Sequence, residues 1–153
     1  FAGPAADPIK SAHRLPQSFE AWSSSVWSDA ALEVRASTEH WSEGMRQEAR
    51  EAQDEFRLEL DRIRSGVRSL ETDERLRASF QLMNQAMRIS AAGKYDEWRP
   101  FQLAFLLANL QCLVEPVAEA EIVDIVWFAT GGGKTETYLG LLLTAAFLDR
   151  KRG

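Results

Sequence analysis

Apolar positions along this chain recur mostly at helical spacing, with one β-like run late in the sequence. Between residues 38 and 67, Trp41, Met45, Ala49, Ala52, Phe56, Leu60, Ile63 and Val67 follow one another at steps of four and three. That spacing draws a single apolar stripe along a long helix whose other faces carry Glu, Asp and Arg. Arg50/Asp54 and Arg57/Asp61 stand at i,i+4, where an ion pair adds roughly 0.2–0.5 kcal/mol. A packed stripe under a solvated charged face is the plain reading, and a lever or partner-binding helix is the sharper one. A second stripe, Leu76, Phe80, Met83 and Met87, predicts the next helix, capped by Thr72 with Asp73 and Glu74 in its first turn, where negative charge suits the dipole. The two helices are expected to run antiparallel across a link at residues 65–72. Asn84 lies off the stripe, and the sequence assigns it no role.

The remaining elements follow from similar signals. Residues 1–16 hold three prolines and small residues and read as irregular. Residues 18–27 form a short helix with Phe19, Trp22, Val26 and Trp27 on one face. Gly93 is a stop signal. Pro100 suits a first helical turn, and residues 101–114, apolar nearly all round, predict a buried helix. Residues 115–119 form an acidic loop. Residues 122–128 (IVDIVWF) are rich in β-branched side chains and predict a strand. Residues 138–148 predict a final helix, apolar almost throughout.

The join between that strand and that helix carries the chemistry. It reads Thr130-Gly131-Gly132-Gly133-Lys134-Thr135-Glu136. Glycines let the backbone pass close to a phosphate, successive N–H groups form an anion nest, and a helix N-terminus adds unpaired amides and the positive end of a dipole. Lys134 then supplies a point charge to the β- and γ-phosphates, and the Thr135 hydroxyl a ligand for Mg²⁺. Strand, glycine loop, Lys-Thr and helix are the layout of a Walker A P-loop, although the first glycine of its fullest form is replaced by Phe128. Glu136 could touch the water shell of the metal or only favour the helix dipole.

Composition narrows the setting. The chain has 153 residues, 45% hydrophobic and 27% charged, which is a globular balance. A net charge of −5 leaves no basic footprint for nucleic acid, and only Arg150-Lys151-Arg152 is locally basic. The single cysteine, Cys112, allows no internal disulfide and is expected to be a buried, inert thiol. No Cys/His cluster has metal-ligand spacing, and the two histidines, His13 and His40, carry no assignment. Residues 1–8 lack the basic start of a signal peptide, and the longest apolar run is about half a membrane span. A cytoplasmic protein is the expectation.

The missing first glycine, together with Trp98-Arg99-Pro100-Phe101-Gln102 upstream, resembles the superfamily-2 helicases and translocases. Their Arg-Pro-aromatic-Gln element precedes motif I, and its glutamine reads the adenine edge. The resemblance implies ATP as ligand, Gln102 as adenine reader and Arg99 as its support. Residues 98–110 (WRPFQLAFLLANL) and 123–140 (VDIVWFATGGGKTETYLG), with 80–87 (FQLMNQAM) before them, are more closely similar to the DrmA family of helicase-like subunits of the bacterial DISARM anti-phage system. That resemblance covers about residues 80–140 and implies a DNA helicase or translocase acting in phage defence, with a DrmB-like partner subunit.

The expected architecture is mostly α: a helical accessory region over residues 1–97, then over 98–153 the first strand, P-loop and helix of a RecA-like α/β ATPase domain. One strand cannot pair with itself, and no downstream Asp-Glu motif is present to orient water; Asp124 is a poor substitute. A piece of a longer polypeptide is therefore expected, inactive alone, its DNA contacts supplied by the rest of the parent chain. The expected site is Lys134 and Thr135 for phosphoryl transfer, with Arg99, Gln102, Thr130, Gly131, Gly132, Gly133 and Glu136 around ATP, and Thr135 on Mg²⁺. Two other readings stand beside it: another P-loop ATPase, such as an AAA-type machine, and a non-catalytic helical interaction module carrying a P-loop.

Overall fold

A computed structural model describes residues 7–94, 97–116 and 133–153. The expected strand at 122–128, residues 117–119 of the expected acidic loop and the loop residues Thr130, Gly131 and Gly132 lie outside them. Every regular element among the described residues is a helix, so a mostly α chain is borne out. In order they are α1 (Pro8–Val26), α2 (Asp29–Thr38), α3 (Glu43–Thr72), α4 (Glu74–Ala91), α5 (Pro100–Ala108), α6 (Leu110–Val114) and α7 (Lys134–Arg152).

The N-terminal region corrects the reading of prolines as breakers. Asp7 caps α1 by accepting from the Ile9 N–H at 2.9 Å, and Pro8 follows in the first turn, where a missing N–H costs nothing. Pro16 sits inside the helix and is buried beside Leu15 and Ala12. An internal proline costs about 3 kcal/mol, and burial of that face offsets it. The predicted helix over 18–27 is thus the second half of α1. Phe19 and Trp22 lean on Phe56 of α3, with ring centroids 6.3 and 5.4 Å apart. The helix α2, which the periodicity does not reveal, follows at once under a Ser28 cap that accepts from Ala31 N–H. Gln53 on α3 donates to the Trp27 carbonyl and, at 3.0 Å, to Asp29, and so ties the α1–α2 corner to the long helix.

α3 keeps the predicted stripe. Its C-terminal half is buried at Leu60, Ile63 and Val67, whereas Met45 near its start is 48% exposed. The expected i,i+4 ion pairs are replaced: Arg50 reaches Glu43 and Arg57 reaches Asp54. The junction with α4 also differs from expectation. α3 runs unbroken to Thr72, whose hydroxyl turns back to the Arg68 carbonyl. Asp73 is the cap, accepting from Leu76 N–H at 2.9 Å. There is no link at 65–72; one residue ends α3 and starts α4.

α4 buries Leu76, Phe80 and Met83 completely, as its stripe predicts, and ends at Ala92 and Gly93, both with positive φ. Its main packing partner is α7, while α3 packs chiefly on α5 and α6. One apolar core collects Leu70, Leu76, Phe80, Leu106, Leu110 and Leu148 from five elements. α5 and α6, divided at Asn109, lie within it. Cys112 is only half-buried, its thiol donating to the Asn109 carbonyl. Gly66 allows α3 and α5 to touch backbone to backbone, since a Cβ there would stand 1.8 Å from the Leu107 carbonyl oxygen.

Candidate functional site

Two helix starts meet at the expected site. The first belongs to α5. Arg99 is its N-cap with extended backbone (φ −66°, ψ 149°), held there in part by Pro100. An arginine has no side-chain acceptor to offer the first-turn amides. The reciprocal arm of a capping box is made instead: Gln102, the third residue of the helix, accepts from the Arg99 N–H at 2.8 Å.

The second start belongs to α7. Gly133 is its N-cap in the left-handed region, φ 88° and ψ 29°, and brings no side chain to the first-turn amides. The other long helices, α1, α3 and α4, each begin under a capping Asp or Ser. Lys134, Thr135 and Glu136 form the first turn of α7, with Thr135 exposed and the other two half-buried.

The Gly133 carbonyl joins the two starts. It accepts from Gln102 Nε2 at 2.8 Å, from the Thr137 hydroxyl at 3.0 Å and from the Thr137 N–H at 3.3 Å. Gln102 is only 6% exposed, so both ends of its amide work inside the protein. A Cβ at Gly133 would lie 2.5 Å from Gln102 Nε2. Glycine is needed here twice, for the backbone angle and for the approach of Gln102.

Further along, α7 turns an unexpected face inward. Thr137, Gly140, Thr144 and Leu148 are its buried residues, while Tyr138, Leu139 and Leu142 are exposed. Small and hydroxyl-bearing residues let α7 come close to its neighbours, and the Thr144 hydroxyl satisfies itself on the Gly140 carbonyl at 2.8 Å. Gly140 has the Trp98 ring on one side and Leu106 on the other, each 3.1 Å from where a Cβ would be. The Trp98 indole donates to Asn84 Oδ1 at 2.8 Å, and the Asn84 amide donates to the Phe80 carbonyl at 2.8 Å. Tyr138 meets Phe105 edge to face at 5.9 Å.

Of the expected site residues, Gln102 and Gly133 are in direct contact, Lys134, Thr135 and Glu136 follow in the adjoining turn, and exposed Arg99 stands at the other end of the Gln102 amide. Thr130, Gly131 and Gly132 fall outside the described residues. Four residues around this junction have no role in the sequence reading: Asn84, Trp98, Thr137 and Gly140. One signal for two of them was visible, since Thr137, Gly140 and Thr144 repeat at helical spacing inside an otherwise leucine-rich helix.

Chemically, the junction presents an uncapped helix start with a lysine and a hydroxyl in its first turn, which suits an anion. Among the described residues no group of three His, Cys, Asp or Glu side chains could hold a metal by itself, and no helix is long and apolar enough to cross a membrane.

Comparison with known proteins adds a relative. The chain is similar to the DISARM protein DrmA of Bacillus paralicheniformis, with 43% identity over 103 residues, covering 54% of this chain and 9% of that protein. This bears out the resemblance to DrmA, and it also means that the chain spans a small part of that relative's length. No family model and no solved structure matches the chain.

Proposed function

We propose that this chain carries the nucleotide-binding segment of an ATP-driven DNA helicase or translocase subunit acting in anti-phage defence. The observation that carries the reading is the hydrogen bond from Gln102 to the Gly133 carbonyl. It brings the Arg-Pro-Phe-Gln element against the end of the Gly-Gly-Gly-Lys-Thr loop, two motifs 31 residues apart in sequence. Similarity to the DISARM protein DrmA supports the defence setting.

In this reading residues 98–153 begin the ATPase domain and residues 1–97 form its helical accessory region. The α7 N-terminus and Lys134 would hold the phosphates, and Thr135 would hold Mg²⁺, whose charge would offset that of the phosphates. Glu136 lies in the same turn. Gln102 would read the adenine edge, with Arg99 beside it. DNA contacts and a DrmB-like partner would engage the rest of the full-length protein, in the cytoplasm.

The test is ATP hydrolysis by the full-length protein with and without DNA, for the wild type and for Lys134→Ala. DNA-stimulated turnover that falls at least a hundredfold in the variant is the expected result, about the scale of losing a charge that acts on the transition state. Turnover indifferent to DNA would favour another P-loop ATPase. A folded protein with no turnover and no ATP binding would leave an interaction module.

A further inference from the structure

We propose that Asn84 and Trp98 are positioning residues for the phosphate site, locking the first two turns of α7 to α4. The inference rests on the ATP reading above and adds to it a second anchor on α7, at Gly140.

α7 carries the phosphate-binding groups at its first turn, and its position is set by what it packs on, chiefly α4. One restraint acts at Gly133, through Gln102. Another acts at Gly140, two turns along. There Trp98 Cη2 and Leu106 Cδ2 each stand 3.1 Å from where a Cβ would be, a tighter approach than ordinary contact. Two fixed points on a helix determine its tilt and its rotation, and Lys134 and Thr135 lie between them.

The Trp98 ring is itself fixed. Its N–H is held by Asn84 Oδ1, and Asn84 is held by its own amide on the carbonyl of Phe80, which is wholly buried. Trp98 also directly precedes Arg99, whose N–H is bound by Gln102. The chain Phe80–Asn84–Trp98 therefore reaches α7 by contact at Gly140 and, through the backbone at Arg99, by hydrogen bond at Gly133. A triphosphate bound by several amides and one lysine tolerates only small displacements of those groups. Loss of the Asn84–Trp98 bond would free the ring to tilt and would let α7 shift by the fraction of an ångström that matters to phosphate and not to the fold.

The experiment uses the full-length protein. Binding of a fluorescent ATP analogue is titrated for the wild type, Asn84→Leu, Asn84→Asp, Trp98→Phe and Lys134→Ala, and thermal melting is followed without nucleotide. Trp98→Phe removes the donor and shortens the ring that meets Gly140; Asn84→Asp keeps the acceptor for Trp98 but loses the donor to the Phe80 carbonyl. We expect Asn84→Leu and Trp98→Phe each to weaken nucleotide binding about tenfold, the net worth of one hydrogen bond, with melting little changed, and Asn84→Asp, which keeps only the bond to Trp98, to fall between Asn84→Leu and the wild type. Lower melting with unchanged affinity would make the pair structural only and overturn the proposal. Should Asn84→Leu not fold, Trp98→Phe decides between these results. If Lys134→Ala binds nucleotide normally, the ATP reading itself falls and takes the inference with it; if Lys134→Ala fails to bind while Trp98→Phe binds like the wild type, the reading stands and only the positioning role is lost.

Discussion

At the scale of the residue, the junction turns on one carbonyl. Gly133 O receives three donors, two from Thr137 and one from Gln102, and the left-handed backbone that aims it is open to glycine at little cost. Gly133→Ala would meet two penalties. The left-handed angle costs an alanine about 1–2 kcal/mol, and the new methyl would drive Gln102 off the carbonyl. The expected outcome is a loss of that size in the unfolding free energy, read from a lower denaturant midpoint, together with at least a tenfold loss of ATP affinity. An alanine variant that binds ATP as the wild type does would show that the Gln102 bond has no part in ligand binding.

At the scale of the element, the local signals were largely legible. Periodicity placed the stripes of α3 and α4 on the faces that are buried at Leu60, Ile63, Val67, Leu76, Phe80 and Met83, and Pro100 marked the first turn of α5. Boundaries moved where a cap competed with a better one a residue away. Thr72 and Asp73 both suit an N-cap; the chain uses Asp73, because a carboxylate accepts from the Leu76 N–H more strongly than a hydroxyl would, and Thr72 completes α3. Asp73 therefore serves two helices at once, as the end of α3 and the start of α4. Asp73→Ala should cost about 1 kcal/mol, read from urea unfolding at neutral pH, and Asp73→Asn should recover much of it. A cost near zero would mean that water replaces the side chain at this corner.

At the scale of the whole molecule, the body is held by helix faces that touch over long sequence distances. The closest approach is that of α3 to α5 at Gly66. Replacing Gly66 with alanine would place a methyl inside van der Waals contact with the Leu107 carbonyl, which backbone rather than side chain must yield to. Overpacking of this kind costs about 1–3 kcal/mol and sometimes more. Gly66→Ala should therefore lower the melting temperature of the chain by several degrees, whereas Gly44→Ala, with nothing nearer than 3.7 Å, should not. Equal melting of the two variants would mean that the α3–α5 crossing can open freely.

What the sequence alone determined is what depends on near neighbours: the apolar stripes of α3 and α4, the helix start at Pro100, and the order of residue types around Lys134 that suits a phosphate. Those signals work because helical hydrogen bonds and side-chain periods join residues three or four apart. Tertiary structure decided that Pro16 lies inside a helix, that Gln102 holds Gly133, that Trp98 rests on Gly140 with Asn84 behind it, and that α7 turns Thr137 and Thr144 inward while Leu139 and Leu142 stay exposed. None of these follows from a period or a propensity. Each is a matter of which surfaces meet and how closely, and burial of apolar area together with the absence of a Cβ at Gly66, Gly133 and Gly140 settles that only once the whole chain has packed.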